Sequence, residues 1–494
     1  MAPRIVKLRA ALGGGTSGEA GTAGGRRIVG TIGVGMAGRV VALVVSLVTL
    51  PLIARTLGPA GFGVWTAALA YVGLSAAFTE FGLLNAAMQR MAEDPEHESE
   101  WLSALSSLRT LFALVLVGVA AIGVPLVLSP GDGLRTTTYI LLITIFAGGA
   151  SVLMSVFQTR LRPGIPVGIS VLQSLLWLGI TAGLAIAGAG PVGFAVGYSA
   201  LISLIAVLQV RVTRRYATVA WRGVRERWRG LMEIALPIGL GGIFVTIYYK
   251  VDAVLLIELS TKEEAGVYGA AYRFLDPLVF LPGTIMTVLF PVIAAIHGRE
   301  HDRVVRLVRR ASEVMLLLSV AGFAVTLALS DRIIDLFYGA EFARASGLLP
   351  LLMASFIPIC LGTLAGFLAP VLGLRWRITI YAAIGAFLNL GLNFLLIPTH
   401  GAYGSAWATL ATESLTMMLL LGTGLSRLGA GLDLGRIAAV LVSGAAMFGA
   451  AYASRPLGLV PALVISTAAY AGAALVSGAV RPDEIRSLRR SPEA

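Results

Sequence analysis

Apolar stretches of roughly 20 residues recur from one end of this chain to the other, the length a helix needs to cross the hydrocarbon core of a bilayer. They fall near 28–54, 61–86, 104–128, 136–160, 165–188, 190–211, 231–259, 265–295, 311–330, 346–372, 376–398, 401–426, 437–453 and 459–480. In lipid, every backbone N–H and C=O must find a partner inside the segment, so such stretches are expected to be helices. The 190–211 and 401–426 segments are delimited by Gly-rich turns, and the last two segments are short or Gly-rich, so twelve to fourteen crossings are expected. Only 13% of the 494 residues are charged, against roughly 25% in soluble domains. Too little polar surface remains to cover a water-soluble globule, and the expected fold class is an all-α integral membrane protein.

The net charge of +12 raises nucleic acid as a partner, but its distribution argues against that. With the N-terminus assigned to the cytoplasm, Lys and Arg concentrate in alternate loops and in both termini, while the intervening loops hold few. This is the positive-inside pattern. It fits an even number of spans with both termini cytoplasmic; an odd number would put the basic tail, Arg481 to Arg490, outside. The run RVTRRYATVAWRGVRERWRG at 211–230 reads as a face toward anionic cytoplasmic lipid. Residues 1–25, with GGGTSGEAGTAGG, read as a loose terminus, and no signal peptide is expected ahead of the first span, which itself would insert. Cys360 stands alone, so no disulfide framework exists.

Two stretches repeat. The second span opens GFGVWTAALAY (Gly61–Tyr71) and the eighth opens EAGVYGAAYRF (Glu264–Phe274). Gly63, Val64, Ala67 and Ala68 match Gly266, Val267, Ala270 and Ala271, with Trp65 opposite Tyr268. Further on, GPVGFAVGYSALISL (Gly190–Leu204) matches GAYGSAWATLATESL (Gly401–Leu415) in the same order and at nearly the same offset. An even number of helices separates the copies, so the halves are parallel and related by an axis along the membrane normal, the architecture of alternating access. The expected layout is a loose terminus at 1–27, a first lobe of six helices at 28–211, a basic loop at 212–230, a second six-helix lobe at 231–428, two appended helices within 436–480 and a tail at 481–494. Gly30, Gly33, Gly35 and Gly38 stand in the first helix, and Pro237, Gly239, Gly241 and Gly242 in the seventh, its repeat partner. Interruptions at matching places point to a transport site; close packing through small residues is the other reading.

Charges inside spans cost about 2.5–3.5 kcal/mol at a helix centre, so they are expected to face a cavity or a partner. Arg39, Lys250 and Arg273 are the candidate cationic cavity for an anionic substrate, because Arg and Lys suit phosphate oxygens. Arg273 and Asp276 also stand at i, i+3, a pairing distance, whereas Lys250 and Asp252 are two apart and do not share a helix face. Glu80, Asp252, Asp276 and Glu413 are candidate acids for pairing or for carrying a coupling proton or Na⁺. Arg109 lies nearer the cytoplasmic side with Glu80. Asn389 and Asn393 are candidates for lining the path or for interhelical hydrogen bonds. All four His (His97, His297, His301, His400) fall in expected loops, which argues against a membrane proton relay built on them. The sequence has no P-loop, H-E-x-x-H, Cys/His cluster or nucleophile elbow, so no cofactor and no metal centre is expected, and no loop is long enough for a catalytic domain.

Several runs resemble polysaccharide-transport flippases: ARTLGPAGFGVW (Ala54–Trp65), FGLLNAAMQR (Phe81–Arg90), DAVLLIELSTKEEAGVYGAAYRF (Asp252–Phe274), VLFPVIA (Val288–Ala294) and NLGLNFLLIPTHGAYGSAWATLATE (Asn389–Glu413). This is the O-antigen and capsule branch of the multidrug/oligosaccharidyl-lipid/polysaccharide superfamily, and the resemblance spans about 28–430. It implies two six-helix lobes and movement of an undecaprenyl-diphosphate-linked oligosaccharide from the cytoplasmic to the outer leaflet of the bacterial inner membrane. It makes the basic cavity the diphosphate site, membrane lipid and the lipid-linked oligosaccharide the partners, and other polysaccharide-assembly proteins candidate partners. Family cavity residues carry over only as locations in helices one, seven and eight, where Arg39, Lys250 and Arg273 stand. The lipid II flippase branch has a clustered basic pattern early in helix one; here Gly33, Gly35 and Gly38 stand instead.

The competing readings are a drug/ion antiporter of the same superfamily, disfavoured by a cavity expected to be cation-rich and poor in aromatics, and a sugar transporter of another superfamily, whose G-x-x-x-D-[RK] loop is replaced by MAEDPEHESEW. A membrane glycan polymerase or ligase needs a large outside loop, and the longest, about 330–345, is short. A pure scaffold for a glycan-synthesis complex is a further reading, and loss of export on neutralising Arg39 or Lys250 at unchanged protein level would argue against it.

Overall fold

The computed structural model describes residues 18–131, 133–159, 164–217 and 224–480; among these, helix is the dominant element and no strand occurs. The helices are α1 (Gly18–Glu80), α2 (Leu83–Glu93), α3 (Glu98–Val127), α4 (Leu134–Gly149), α5 (Ser155–Thr159), α6 (Gly164–Ile186), α7 (Pro191–Thr213), α8 (Arg225–Leu259), α9 (Lys262–Ile296), α10 (His301–Tyr338), α11 (Ala345–Val371), α12 (Arg375–Arg427), α13 (Leu434–Ala453) and α14 (Leu459–Val476). Residues 1–17 and 481–494 and part of the basic loop, 218–223, lie outside the described residues, while α1 is helical from Gly18, ahead of the expected start of the first span.

Twelve helical segments among the described residues are long and apolar enough to cross a membrane. Two of them, Val40–Glu93 and Trp376–Arg427, run to 54 and 52 residues. At 1.5 Å per residue each would stretch about 80 Å, more than twice the roughly 30 Å hydrocarbon core. Both break at a glycine: Gly58 at φ 63°, ψ 176° in α1 and Gly401 at φ 54°, ψ −130° in α12. Gly58 precedes Pro59, and a residue before proline is steered away from the α region, while proline suits the first turn of the next limb. The α12 limbs fold back as a hairpin. Gly404 packs on Leu396, Gly385 on Thr416, and Tyr381 and Thr423 share a hydrogen bond of 3.0 Å, pairs that converge on Gly401. In α1, Gly38 packs against Val167 at the start of α6, Arg55 donates to the carbonyl of Phe337 at the end of α10, and the second limb returns to Phe81, beside Gly239 of α8. Counting each limb once gives about fourteen crossings, as expected. We call the end carrying Gly58 and Gly401 the tip end and the other the basic end.

The first lobe is α1 to α7, the second α8 to α12, and α13 with α14 pack as a pair on α10, where Gly444 meets Val320 and Tyr470 donates to the Leu317 carbonyl at 2.7 Å. Outward faces carry large apolar side chains, such as Leu126, Ile186 and Val476, 81–91% exposed, as lipid contact requires. The chain is thus an all-α, multi-pass membrane protein with two parallel-repeat lobes. Helix α10 outruns its expected span, 311–330, because its ends, with Asp302, Arg303 and Arg306, are amphipathic and escape a purely apolar count.

The repeat is also visible as geometry. A Cβ on Gly63 would collide with the Lys262 carbonyl and lie 2.9 Å from the Gly266 nitrogen; one on Gly266 would collide with the Pro59 carbonyl and lie 3.1 Å from the Gly63 nitrogen. Each glycine touches the residue one turn before the other, a reciprocal contact of the kind a two-fold axis produces. The second matched stretch repeats in the same manner. Gly61 packs on Pro191 in the first lobe, and its counterpart Glu264 accepts a 2.8 Å hydrogen bond from the N–H of Ala402, the counterpart of Pro191. Glu264 also pairs with Arg344. The Gly/Pro runs of the first and seventh helices do not interrupt the helices where they are described: α8 is continuous, and Gly38 and Gly239 serve close packing.

Two outcomes follow. Gly266→Leu should destabilise the closed tip end by about 1–3 kcal/mol through overpacking, read as faster thiol labelling of a Thr66→Cys probe; labelling at the parent rate would contradict the close contact. Glu264→Ala removes the acceptor for the Ala402 N–H and should cost about 0.5–2 kcal/mol, as losing a helix cap does, read as a lower thermal midpoint in detergent; an unchanged midpoint would count against it.

Candidate functional site

The crossing of α1 with α8 and α9 leaves a cavity of about 250 Å³ between the lobes. Positions one face apart on the returning limb of α1, Thr66, Leu69, Ala70 and Gly73, form a small, mostly apolar wall. The opposite wall comes from the second lobe: Tyr249, Lys250 and Ala253 of α8, and Tyr268, Gly269, Tyr272, Arg273 and Asp276 of α9. The stem of Lys250 lies across Gly73, whose Cβ would stand 3.9 Å from Lys250 Cδ. Among the described residues Lys250 has no hydrogen-bond or ion-pair partner. Arg273 donates to Asp276 at 3.3 Å, so the wall keeps one positive charge in excess.

Both ends of the cavity are bridged. At the tip end stand the Gly63–Gly266 contact, Arg55 on the last carbonyls of α10, and Ser129, whose hydroxyl donates to Glu258 at 2.6 Å. At the basic end a Cβ on Gly239 would lie 2.6 Å from the carbonyl of Phe81, a residue held at φ 35°. Arg90 donates to the Gly230 carbonyl at 3.3 Å, and Arg227 pairs with Glu100 while lying 4.7 Å over the Trp101 ring. His97 lies 2.9 Å from Asp94, and Trp101 Nε1 donates to the same carboxylate at 3.2 Å. The hydrogen bond from His97 is the main cause that holds the Asp94 carboxyl below the usual carboxylate range, with Trp101 and the charge of Arg227 adding to it.

Behind the tyrosine wall, inside the second lobe, two acids are buried. Asp252 accepts from Tyr268 at 2.7 Å, Thr409 at 2.9 Å and Asn393 at 3.0 Å. Asn393 also donates to the Asn389 carbonyl and side chain. Glu413 is reached by Tyr249 and keeps a buried Oε1 without a partner, as do Asn389 Nδ2, Asn393 Oδ1, Ser405 Oγ and Thr412 Oγ1 nearby. Each such orphan costs roughly 1–3 kcal/mol when dry, so this concentration of them marks a polar cluster that a bound water or small cation would stabilise. No basic side chain pairs with either acid among the described residues.

The structure therefore brings Lys250 and Arg273 to one cavity and sets Asp252, Glu413, Asn389 and Asn393 together behind it. Arg39 has a helical backbone, but its side chain lies outside the described residues. Asp276 is an ion-pair partner, and Glu80, largely exposed, receives Arg109 at 3.3 Å away from the cavity. The expectation of a cavity poor in aromatics is wrong. Tyr249, Tyr268 and Tyr272 line it, because i, i+4 spacing puts Tyr268 and Tyr272 on the same face as Arg273's turn. That spacing, in VYGAAYRF, was the available signal.

Comparison with known proteins gives the family. Residues 29–297 match the family described as polysaccharide biosynthesis protein. A protein named probable low-salt glycan biosynthesis flippase Agl15, from Haloferax volcanii, is 24% identical over 373 residues, 74% of this chain and 77% of that one. Among solved structures that share the fold are two transporters. The lipid II flippase MurJ in an inward closed conformation superposes with TM-score 0.74 at 14% identity, over 94% of this chain and 100% of that chain. An inward-facing multidrug resistance MATE family transporter of the MOP superfamily gives 0.61 at 14% identity, over 78% and 94%. With more than half of its length matched, from the first lobe through α9, the chain belongs to the polysaccharide biosynthesis protein family.

Proposed function

We propose that this protein is a flippase that moves an undecaprenyl-diphosphate-linked oligosaccharide from the cytoplasmic to the outer leaflet of a bacterial inner membrane by alternating access, without covalent chemistry. The observation that carries the reading is Lys250, an intramembrane cation with no partner among the described residues, beside Arg273 in a cavity between two repeat lobes. An unpaired cation at this depth is costly unless an anion visits it, and a diphosphate is such an anion. The lobes, 28–211 and 231–428, rock about the glycine contact while the prenyl tail stays in lipid. At 250 Å³ the cavity is below the roughly 300–1,000 Å³ of ordinary ligand pockets, so an oligosaccharide enters only as the lobes part. The positive-inside pattern supports cytoplasmic termini, which makes the basic end the cytoplasmic one.

Arg39 joins this cationic path in the same reading. Asp252 and Glu413 carry the coupling proton or Na⁺, with Tyr268 and Tyr249 linking them to the cavity wall. Asn389 and Asn393 orient Asp252, and Asp276 and Glu80 are pairing acids. The three tyrosines suit a cationic substrate and favour a drug/ion antiporter as the second reading; Lys250 in the same wall repels such a substrate.

The test is the lipid-linked sugar pool of a strain deleted for this protein. Undecaprenyl-linked oligosaccharide should accumulate on the cytoplasmic leaflet and surface polysaccharide should vanish. Lys250→Gln should restore export at least about tenfold less well than the parent at equal protein level, the scale of a lost charge-assisted hydrogen bond. An unchanged pool and surface glycan would contradict the reading. Asp252→Asn keeps the side chain's size and removes its charge, so export should lose its dependence on the cation gradient; an unaltered dependence would remove Asp252 from the coupling role.

A further inference from the structure

A second cavity lies in the first lobe, away from the space between the lobes. It measures about 240 Å³ and is walled by α3, by the end of α4 and its continuation, and by α7. Two guanidinium groups line it, those of Arg109 and Arg214. Arg109 is only 7% exposed. One nitrogen, Nη2, donates to Glu80 at 3.3 Å, while Nε is buried with no acceptor. Arg214, at the end of α7, is exposed and its side chain has no partner among the described residues. The three charges leave one positive in excess. Room for a ligand comes from the chain's own composition: α4 ends at Gly149 and continues as a tight 3-10 turn from Ala150 to Met154, so glycine and alanine line this wall, and a Cβ on Gly149 would meet nothing within 4 Å. The remaining wall is apolar, with Ala113, Phe146, Leu153 and Val210, and one of these, Phe146, is 41% exposed, so the cavity reaches the outer, lipid-facing surface of the helices.

We propose that this crevice binds the phosphate of a membrane lipid. Two guanidinium forks suit phosphate oxygens, singly or bidentate, and the orphaned Arg109 Nε gains the acceptor it lacks. The apolar wall and the opening toward lipid select a phosphate that carries a hydrocarbon chain over free phosphate. Arg214 belongs to the basic run that follows α7, which draws anionic head groups to this end of the protein. The site is separate from the Lys250 cavity and does not depend on the flippase reading.

The test uses the full-length protein in detergent and native mass spectrometry. Phosphatidylglycerol is titrated against diacylglycerol, which has similar chains and no phosphate. The parent should retain phosphatidylglycerol at concentrations at least about fivefold lower than diacylglycerol. Arg214→Gln, an exposed position that leaves folding intact, and Arg109→Gln should each remove that preference, while Lys250→Gln should keep it. Farnesyl diphosphate then separates the two sources: displacement of phosphatidylglycerol assigns the site to prenyl diphosphates, and no displacement assigns it to bilayer phospholipid, either result being consistent with a phosphate-lipid site. An unchanged preference in Arg214→Gln, or its loss in Lys250→Gln alone, would overturn the proposal.

Discussion

Two glycines back to back set how closely the halves of this protein approach. Gly63 and Gly266 meet with no side chain between them, and each backbone lies against a carbonyl of the other helix. A membrane gives helices no hydrophobic reason to associate, so close backbone packing supplies much of the attraction. Here it also brings the small wall of α1 within reach of the tyrosine and lysine wall of α8 and α9. The cavity is a consequence of that crossing, and its sealing at the tip end is the same contact seen from outside.

The two walls are unequal although the lobes repeat. The first lobe presents Thr66, Ala70 and Gly73, and the second presents Tyr268, Arg273 and Lys250. The charge and the hydrogen-bonding capacity are thus concentrated in one half. Tyr268 has a double position: its ring faces the cavity and its hydroxyl donates to Asp252. Any rearrangement of the cavity wall that moves this ring changes the hydrogen bonds of a buried acid, and in the function proposed above that is the route by which head group and cation would be coupled. Glu264 acts at another level, tying the start of α9 to the break at Gly401 and to Arg344.

Much of the fold was legible in the sequence, and for identifiable reasons. Apolar segments of membrane length reveal helices because lipid leaves the backbone no other common solution. The matched glycines revealed the repeat because close approach tolerates no substitute. Lys250 and Arg273 were legible because charges are rare in spans. Glu264 and the cluster around Asp252 were not, since their partners at Ala402, Asn393 and Thr409 are far away in the chain and no spacing rule connects them. The breaks at Gly58 and Gly401 were legible as turns between separate spans. The tyrosines were not legible because aromatic residues are ordinary in membrane helices, and only the packing of α8 and α9 against α1 turns them toward the cavity. The second arginine cavity depends on a 3-10 stretch after Gly149, a local tightening that apolar composition does not announce.

The most direct test of rocking lobes is a tether across the tip end. Ser129 and Glu258 belong to different lobes and are hydrogen bonded. Ser129→Cys with Glu258→Cys, joined by a short bifunctional thiol reagent, fixes that end closed. In proteoliposomes, translocation of a fluorescent undecaprenyl-diphosphate oligosaccharide should stop when the tether forms and resume when a cleavable reagent is cut. Translocation at the untethered rate with cross-linking complete would contradict the account.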